Sequence, residues 1–340
     1  MSGESFITAH AALGFESLNS VLKAAGEATR LRILALLAEA ELTVSDLTAI
    51  LRQSQPRISR HLRLMAQAGL VDRFREGSWA FFRLGERGGA AELARELIAR
   101  LDTADMTLAR DRERLAAVRA QRAAAAQAYF RRHAAQWDRI RNLQVADEAV
   151  EEAVVAALAS APMRTLLDLG TGTGRMLDLL APRIERGLGL DLSLEMLGIA
   201  RARLDRAGLR HCSVRQGDIY DLALANDSFD TVIIHQVLHF LDDGARAIFE
   251  AARVLRPAGR LLVVDLAPHE LELLRAEHAH RRLGFACETV AQWMQAAGLD
   301  LALHRSLAPH PASPGRLAVS LWLGRDRRIA LAESTAKEVA

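Results

Sequence analysis

The sequence has few cysteines, few lysines and no long hydrophobic run. Its two cysteines, Cys212 and Cys287, are far apart, which argues against a disulfide framework and indicates a reducing compartment. Residues 1–15 lack the basic start and apolar core of a signal peptide, and no apolar run approaches membrane-spanning length. We therefore expect a cytoplasmic protein with no membrane partner.

Lysine occurs only at Lys23 and Lys337, so arginine supplies nearly all of the positive charge. The formal net charge of +2 neither indicates nor excludes binding to nucleic acid. Local clusters of arginine are the informative feature for such binding. Half of the 340 residues are apolar, so the chain is long enough for two domains that each bury a core.

A strand-like run, Thr165–Leu169, is followed by three glycines at alternate positions and then by helical spacing. So tight a turn needs backbone angles that a Cβ disfavours, and a ligand can lie against the bare backbone. Arg175 stands where a dinucleotide-binding fingerprint would need its last glycine. The pattern therefore predicts a strand, a turn and a helix that bind a nucleotide-like ligand other than a dinucleotide.

The run D-x-G-x-G-x-G from Asp168 to Gly174 resembles the first motif of class I S-adenosylmethionine (SAM) methyltransferases, and further matches follow in that family's order. The resemblance implies that Asp191 binds the ribose hydroxyls, Met196 packs on the adenosine, and Asp218 accepts from the adenine amino group. The implied ligand is SAM or its product S-adenosylhomocysteine (SAH). The implied ligand-binding residues are Asp168, Gly170, Thr171, Gly172, Gly174, Asp191, Leu192, Met196, Asp218, Ile219 and His235. A doubly wound domain with chance acids is the alternative.

Chemistry in this fold occurs beyond the carboxyl ends of the strands. The fourth predicted strand is followed by the segment 235–240, and the fifth ends at Asp265. Methyl transfer needs alignment of a nucleophile, with a base only if the acceptor must lose a proton. Within these segments His235 is the candidate catalytic residue, and a structural histidine is the alternative reading.

Three histidines and an acid after the fifth strand, His269, Glu272, His278 and His280, raise the question of a metal site. We expect none, because two residues two positions apart on the predicted helix Leu271–Phe285 would point to different faces. The sequence has no Asn/Asp-Pro-Pro-Tyr run, which argues against methylation of DNA amino groups. It also lacks the set of thiols that arsenite methylation uses.

Residues 17–84 predict short helices followed by a β-hairpin, Asp72–Leu84, that turns at Glu76-Gly77. The helix that starts at Gln55 carries proline in its first turn. Ile58, Leu62 and Met65 of this helix would face inward. Four arginines and no acid occur from residue 52 to residue 63, which is typical of a helix in the major groove. A basic surface helix on an all-α module is the alternative.

This segment is similar to the ArsR/SmtB family of dimeric bacterial repressors, most specifically in Ser59–Leu62 and Ala68–Val71. Leu42–Asp46 lacks the paired cysteines of many metal-sensing members, so we expect no metalloid sensor there. Wing arginines, including Arg83, would hold phosphates, and His61 would be structural. The DNA-binding residues that the resemblance implies are Gln55, Arg57, Ser59, Arg60, Arg63, Arg73 and Arg75.

After Gly88-Gly89, leucines at 101, 108 and 115 recur every seven residues, and Asp111 interrupts them. This spacing predicts a helix that pairs with another helix, so we expect a two-fold dimer. A helix that packs only on its own chain is the alternative. A second helical group follows and resembles the cap of many methyltransferases. Its first residues include Tyr129, Phe130, Trp137, Asp138 and Ile140.

The sequence thus predicts an α/β protein with a winged helix-turn-helix domain (1–88), a helical connector with dimerisation helix and cap (89–160), a Rossmann-like class I SAM methyltransferase domain (161–328) and a loose tail (329–340). The expected function is a DNA-binding regulator, a repressor, whose methyltransferase-like domain binds SAM or SAH and modulates the binding of a homodimer to operator DNA. An active small-molecule methyltransferase that regulates its own operon is the alternative. A winged helix used only for dimerisation is a third possibility.

Overall fold

The computed structural model describes residues 12–76, 79–85, 87–137, 147–308 and 317–328. The chain divides into two compact units, residues 1–123 and 124–340. The predicted tail, residues 329–340, lies outside the described residues. Within the described ranges, no helix is long and apolar enough to cross a membrane.

The first unit has the winged helix-turn-helix fold that the sequence predicts. Its three strands form a small antiparallel sheet in the order β1-β3-β2. The strands are Leu42–Thr43 (β1), Val71–Glu76 (β2) and Trp79–Leu84 (β3). The helices are Phe15–Ala25 (α1), Ala28–Glu39 (α2), Val44–Leu51 (α3), Gln55–Gln67 (α4), Gly89–Ala99 (α5) and Met106–His133 (α6), the last of which continues into the second unit.

Local sequence explains where these elements begin. Thr43 and Asp46 form a capping box that satisfies backbone N–H groups at the start of α3. Proline in the first turn of α4 removes an N–H that would have no intrahelical partner. The hairpin pairs Glu76 with Trp79, and the turn residues 77–78 lie outside the described ranges.

The predicted heptad of leucines does not lie on one helix. Leu101 falls between α5 and α6, because the Asp105 carboxylate accepts the N–H groups of Thr107 and Leu108 and so caps a new helix. Leu115 packs into the core of the first unit. The prediction of a continuous seam from residue 101 to residue 115 is therefore wrong.

Helix α6 is held to the rest of the first unit by ion pairs. Asp111 is almost completely buried and accepts two hydrogen bonds from Arg32 of α2. Arg114 donates to the carbonyl oxygen of Ile50 at 3.2 Å. The polar residue that interrupts the leucine pattern therefore binds a side chain of the same unit.

The second unit is a seven-stranded mixed sheet in the order β6-β5-β4-β7-β8-β10-β9. Its strands are Thr165–Leu169 (β4), Arg186–Asp191 (β5), Cys212–Gln216 (β6), Phe229–His235 (β7), Leu255–Leu266 (β8), Leu299–Leu307 (β9) and Val319–Asp326 (β10). Strands β4 to β8 pair in parallel, and β10 runs antiparallel to both β8 and β9. This is the Rossmann-like α/β fold that the sequence predicts.

Helices cover this sheet, and its central strands are apolar on both faces. Leu166 and Ile233 contribute to one core cluster, while Leu167 and Val232 contribute to the other. The helices are Asp147–Leu158 (α7), Arg175–Leu180 (α8), Leu194–Arg206 (α9), Gly244–Arg253 (α10), Leu273–Glu277 (α11) and Cys287–Ala296 (α12). Because the strands are filled with apolar residues, polar chemistry is confined to the strand ends.

The predicted helical insertion Leu271–Phe285 is helical only over α11. The helix ends because Ala279 adopts a left-handed conformation with φ 57° and the His280 N–H donates to the Leu274 carbonyl, six residues earlier. His278 and His280 thus lie beyond the helix, and the prediction that both are helical is wrong.

Candidate functional site

The loop after β4 has the backbone that the three glycines predict. Gly170, Gly172 and Gly174 have φ values of 72°, 52° and 79°. A Cβ at Gly170 would lie 2.4 Å from a methyl group of Val237, so this position excludes any side chain. The backbone N–H groups of Gly170 and Thr171 both donate to the Leu190 carbonyl, which ties the loop to β5.

Asp168, in β4, stabilises the loop through a hydrogen bond to Thr171. Its buried carboxylate accepts a hydrogen bond of 2.6 Å from the Thr171 hydroxyl. The same threonine packs against Gly189 of β5, where a Cβ would lie 2.6 Å from its hydroxyl oxygen. The predicted residue Thr171 therefore has a structural role in shaping the loop.

Asp191 ends β5 and faces the glycine loop. One carboxylate oxygen accepts the Gly172 N–H at 2.9 Å, and the other accepts the Ser193 N–H at 2.8 Å. Burial raises the pKa of this carboxyl, and the backbone donors act in the opposite direction. The Ser193 hydroxyl accepts the Met196 N–H and caps α9. Loop and acid thus form one surface at the carboxyl edge of the sheet.

The other predicted ligand residues follow neighbouring strands. Asp218 is exposed after β6, and Ile219 beside it is buried. Met196 is buried, while the side chain of Leu192 is 38% exposed. His235 is buried at the end of β7, where it pairs in register with Val264. Because β4 to β7 are parallel, these residues share one edge of the sheet.

An aromatic group lies beside the glycine loop. Trp137 is close enough that its indole nitrogen lies 3.8 Å from the Cβ position of Gly172. Its ring centroid is 5.2 Å from that of Phe130, which in turn lies 4.8 Å from that of Phe240. Asp138 and Ile140, predicted for the same cap, lie outside the described residues.

A histidine–aspartate pair lies close to these aromatic rings. His239 Nδ1 is 2.7 Å from Asp265 Oδ1, and both side chains are buried. The His280 ring contacts the His239 ring at a tilt of 35°, with centroids 4.3 Å apart. The candidate catalytic residue predicted from the sequence, His235, is not the histidine that pairs with Asp265. The pairing depends on a contact between residues 26 positions apart, which periodicity does not reveal.

His278 and Glu272, two of the residues considered for a metal site, have other partners. His278 Nδ1 lies 2.7 Å from the Tyr129 hydroxyl. The Glu272 carboxylate pairs with Arg275. In the part of the chain that the structure describes, no group of three or more His, Cys, Asp or Glu side chains has the arrangement of a metal site.

Helix α4 presents a basic outer face. Ile58, Leu62 and Met65 are buried, as predicted. Arg57, Arg60 and Arg63 are exposed, Gln55 is exposed at the helix start, and Ser59 is half-buried. The arginines therefore point outward, and the outer face has the composition of a helix that contacts DNA.

His61 is the exception on this helix. It is buried, with Nδ1 3.7 Å from the Glu27 carboxylate. Burial lowers the pKa of His61, and the nearby arginines lower it further, while Glu27 acts in the opposite direction. This environment fits the structural role that the sequence predicts.

The wing arginines differ from one another. Arg73 and Arg75 of β2 are exposed. Arg83 of β3 instead lies over the Phe74 ring, 5.1 Å from its centroid, and is 3.8 Å from Glu41. Because Arg83 makes these contacts within the protein, it is a weaker candidate for binding a DNA phosphate than the sequence suggests.

Residues 27–73 match the family model described as "Bacterial regulatory protein, arsR family", and residues 167–263 match the model described as "Methyltransferase domain". An arsenite methyltransferase from Aquipseudomonas alcaligenes is 38% identical over 111 residues, which is 30% of this chain and 32% of that protein. The uncharacterized methyltransferase YcgJ of Bacillus subtilis is 32% identical over 100 residues, or 29% of this chain and 40% of that protein. The matches thus span less than half the length of these relatives.

The crystal structure of YcgJ aligns with 53% of this chain and 99% of that chain, at 19% identity and a TM-score of 0.45. The crystal structure of a possible histamine N-methyltransferase from Thermotoga maritima aligns with 59% of this chain and 100% of that chain, at 23% identity and a TM-score of 0.48.

Proposed function

The chain joins an arsR-family helix-turn-helix domain to a methyltransferase domain, and from this premise we propose that it is a DNA-binding transcriptional regulator, a repressor, that responds to SAM or SAH. One observation carries the proposal: a single chain presents an exposed arginine face on α4 and, in its second unit, a glycine loop closed by Asp191. The first feature fits phosphates and base edges, and the second fits an adenosyl ligand.

The residues of the loop suit SAM or SAH. Gly170 and Gly172 leave bare backbone at positive φ, and a Cβ at Gly170 would clash with Val237. Asp191 offers two carboxylate oxygens beside that backbone, as a ribose diol requires. Met196 and Ile219 would contact the adenine ring, and Asp218 would accept from its amino group.

We propose that the DNA-binding form is a homodimer. Phe15, Leu18 and Leu22 on α1 are 85%, 38% and 47% exposed and lie at i, i+3 and i+7, which places them on one helix face. A second copy of the chain would cover this face. The two α4 helices of such a dimer would enter successive major grooves about 34–36 Å apart on a palindromic operator.

A ligand changes operator binding only if it binds the two protein states with different affinity. A coupling of about 1–3 kcal/mol is usual. SAM and SAH differ in the sulfonium charge and in one methyl group, so their separate effects identify the effector. The two ligands are therefore the informative pair to compare.

The test uses the full chain and a DNA duplex that it selects from a random pool. Operator affinity is measured at fixed salt while SAM and SAH are titrated in parallel. A change with either ligand supports a sensor. If both ligands bind and neither changes the affinity, the regulatory proposal is wrong.

Two variants separate the sites. Asp191→Ala should weaken SAH binding and the ligand response and leave apo operator affinity unchanged. Arg60→Ala should weaken operator binding and leave SAH affinity unchanged. Asp205→Ala and Arg110→Ala are the matched controls, since both replace exposed residues. Loss of apo DNA binding in Asp191→Ala would contradict this division of roles.

A second candidate function is methyl transfer to a small molecule. The buried pair of His239 and Asp265 favours it, because a sensor that only binds SAM or SAH has no need of a base.

A further inference from the structure

Polar side chains at and beyond the carboxyl ends of β7 and β8 form a buried cluster outside the residues assigned to SAM. We propose that this cluster is a methyl-acceptor site for an aromatic hydroxyl compound, with His239 as general base and Asp265 as the residue that orients it. The inference rests on the SAM binding proposed above and extends it to a reaction.

The geometry of His239 is fixed from several directions. Its carbonyl oxygen accepts the N–H groups of Arg281 and Arg282 at 2.7 Å and 3.0 Å. Its ring contacts those of Phe240 and His280, with centroids at 4.0 Å and 4.3 Å. Asp265 is held in turn by the Leu266 N–H, which donates to Oδ1 at 2.7 Å. A base needs such pre-organisation.

The hydrogen bond to Asp265 selects the tautomer of His239. Nδ1 carries the proton and donates it to Asp265 Oδ1, so Nε2 holds the free lone pair. Within the described residues, no hydrogen bond engages Nε2. A carboxylate behind the ring also stabilises the imidazolium that forms when Nε2 accepts a proton.

Three buried polar atoms around the pair point to a ligand. Asp265 Oδ2, His269 Nε2 and His280 Nδ1 have no hydrogen-bond partner among the described residues. The Asp265 side chain is completely buried, and His280 is 5% exposed. A buried polar atom without a partner is costly, and a cluster of them is typical of a site that a polar ligand completes.

The cluster lies next to the proposed SAM loop. Phe240 contacts His280 and Trp137, with centroids 5.1 Å and 6.0 Å away, and Trp137 adjoins Gly172. Strands β7 and β8 are neighbours in register, with His235 opposite Val264. An acceptor beside His239 would therefore reach the same edge of the sheet as a methyl donor on the loop.

The surroundings favour a neutral aromatic acceptor with one acidic hydroxyl. Phe130, Trp137 and Phe240 supply aromatic walls. Burial lowers the pKa of His280 and lowers that of His269 to about 4, so both rings are neutral at pH 7. Glu272, Arg275 and His278 also face the cluster, and Arg275 pairs with Glu272. Asp265 balances the one imidazolium that proton transfer creates.

The reaction balances with these residues. The acceptor O–H gives its proton to His239 Nε2, and its oxygen forms the new O–CH3 bond. SAM supplies the methyl group and keeps the electron pair of the broken S–CH3 bond, becoming SAH. The imidazolium then returns its proton to water. General base catalysis of this kind contributes about 100-fold or more.

The first experiment detects proton transfer without turnover. The full chain is saturated with SAH, and 4-nitrophenol is titrated while the phenolate absorbance is followed from pH 5 to pH 8. Bound probe should ionise about one pH unit or more below free probe, because His239 accepts its proton. His239→Gln should abolish this shift, and Asp265→Asn should reduce it. His211→Gln is the matched control, because glutamine can retain the hydrogen bond of His211 to the Ala181 carbonyl.

Calorimetric binding of SAH to each variant distinguishes the possible failures. If wild type does not bind SAH, the proposed function fails first. If SAH binds but 4-nitrophenol does not, or if His239→Gln keeps the shift, the base assignment is overturned. With SAM, wild type should form 4-nitroanisole and His239→Gln should do so about 100-fold more slowly. Methylation of benzylamine in place of the phenol, or stoichiometric Zn²⁺ bound through His239, would also overturn the assignment.

Discussion

Arg32 and Asp111 form a bidentate ion pair in which two guanidinium nitrogens lie 2.6 Å and 2.7 Å from the two carboxylate oxygens. The pair joins α2 to α6 in the first unit, and the aspartate side chain is 2% exposed. The hydrogen bond to Asp111 also raises the pKa of Arg32. The Arg32 side chain is 20% exposed, so one partner is only partly shielded from water.

Removal of one partner should be more harmful than removal of both. We expect Asp111→Ala to lower the free energy of unfolding by about 3 kcal/mol, because Arg32 keeps its charge in a partly buried site. The double variant Arg32→Met with Asp111→Leu should recover most of this loss. Denaturant unfolding of wild type, Asp111→Ala and the double variant measures both losses of stability, with Glu113→Ala on the exposed side of α6 as control. Equal loss in single and double variants would contradict the idea.

Two glycines should respond in opposite ways to the same substitution. Gly170→Ala forces a Cβ against Val237 at a positive φ, so we expect the loop to shift and SAH affinity to fall about tenfold or more. Gly198 lies in α9 with open space around its Cβ position, so Gly198→Ala should raise the free energy of unfolding by about 0.5–1 kcal/mol. Calorimetry and chemical unfolding measure both effects. Unchanged SAH affinity in Gly170→Ala would argue against the loop as the ligand site.

The exposed wing arginines should act through phosphates. We expect Arg73→Ala and Arg75→Ala each to reduce the slope of log affinity against log salt by about 0.9 for each phosphate that the arginine neutralises, with similar effects on all sequences. Arg60→Ala should instead relax the preference for particular bases. Fluorescence anisotropy at several salt concentrations separates these effects. An unchanged slope in both wing variants would assign the phosphate-binding role to other residues.

Stability of the second unit should depend on pH through His269. Burial lowers the pKa of this histidine to about 4, while the unfolded chain titrates near about 6.5. Between these values the unfolded state binds more protons, so stability should fall as pH falls through that window. His269→Asn should flatten this dependence of the melting temperature, and His304→Asn, on the exposed edge strand β9, should not. Equal slopes in wild type and His269→Asn would contradict the assignment.

Sequence reasoning succeeded where short-range chemistry decides the structure. The glycine loop after β4 and the start of α4 at Gln55 follow from residues within a few positions of one another. It failed at Leu101, because the Asp105 carboxylate starts a new helix within an apolar repeat. It also failed after α11, where alanine adopts the left-handed conformation usually given to glycine.

The contact between His239 and Asp265 could not be predicted from the sequence for a different reason. His239 follows β7, Asp265 lies near the carboxyl end of β8, and the sequence pointed to both segments. Which histidine meets the acid depends on how the chain turns after β7, where Gln236 has a φ of 54° that no periodicity predicts. The site could therefore be located to a strand edge but not to a residue.

Helix α1 carries the only lysine within the described residues, and its neighbour Leu22 belongs to the apolar face proposed to meet a second copy. After Lys337 is changed to arginine, an amine-reactive fluorophore would label one side chain per copy, besides the terminal amine. In a mixture of donor-labelled and acceptor-labelled chains, energy transfer would then report the distance between the two α1 helices. Because lysine is scarce, α1 can be labelled at Lys23 without introducing a cysteine.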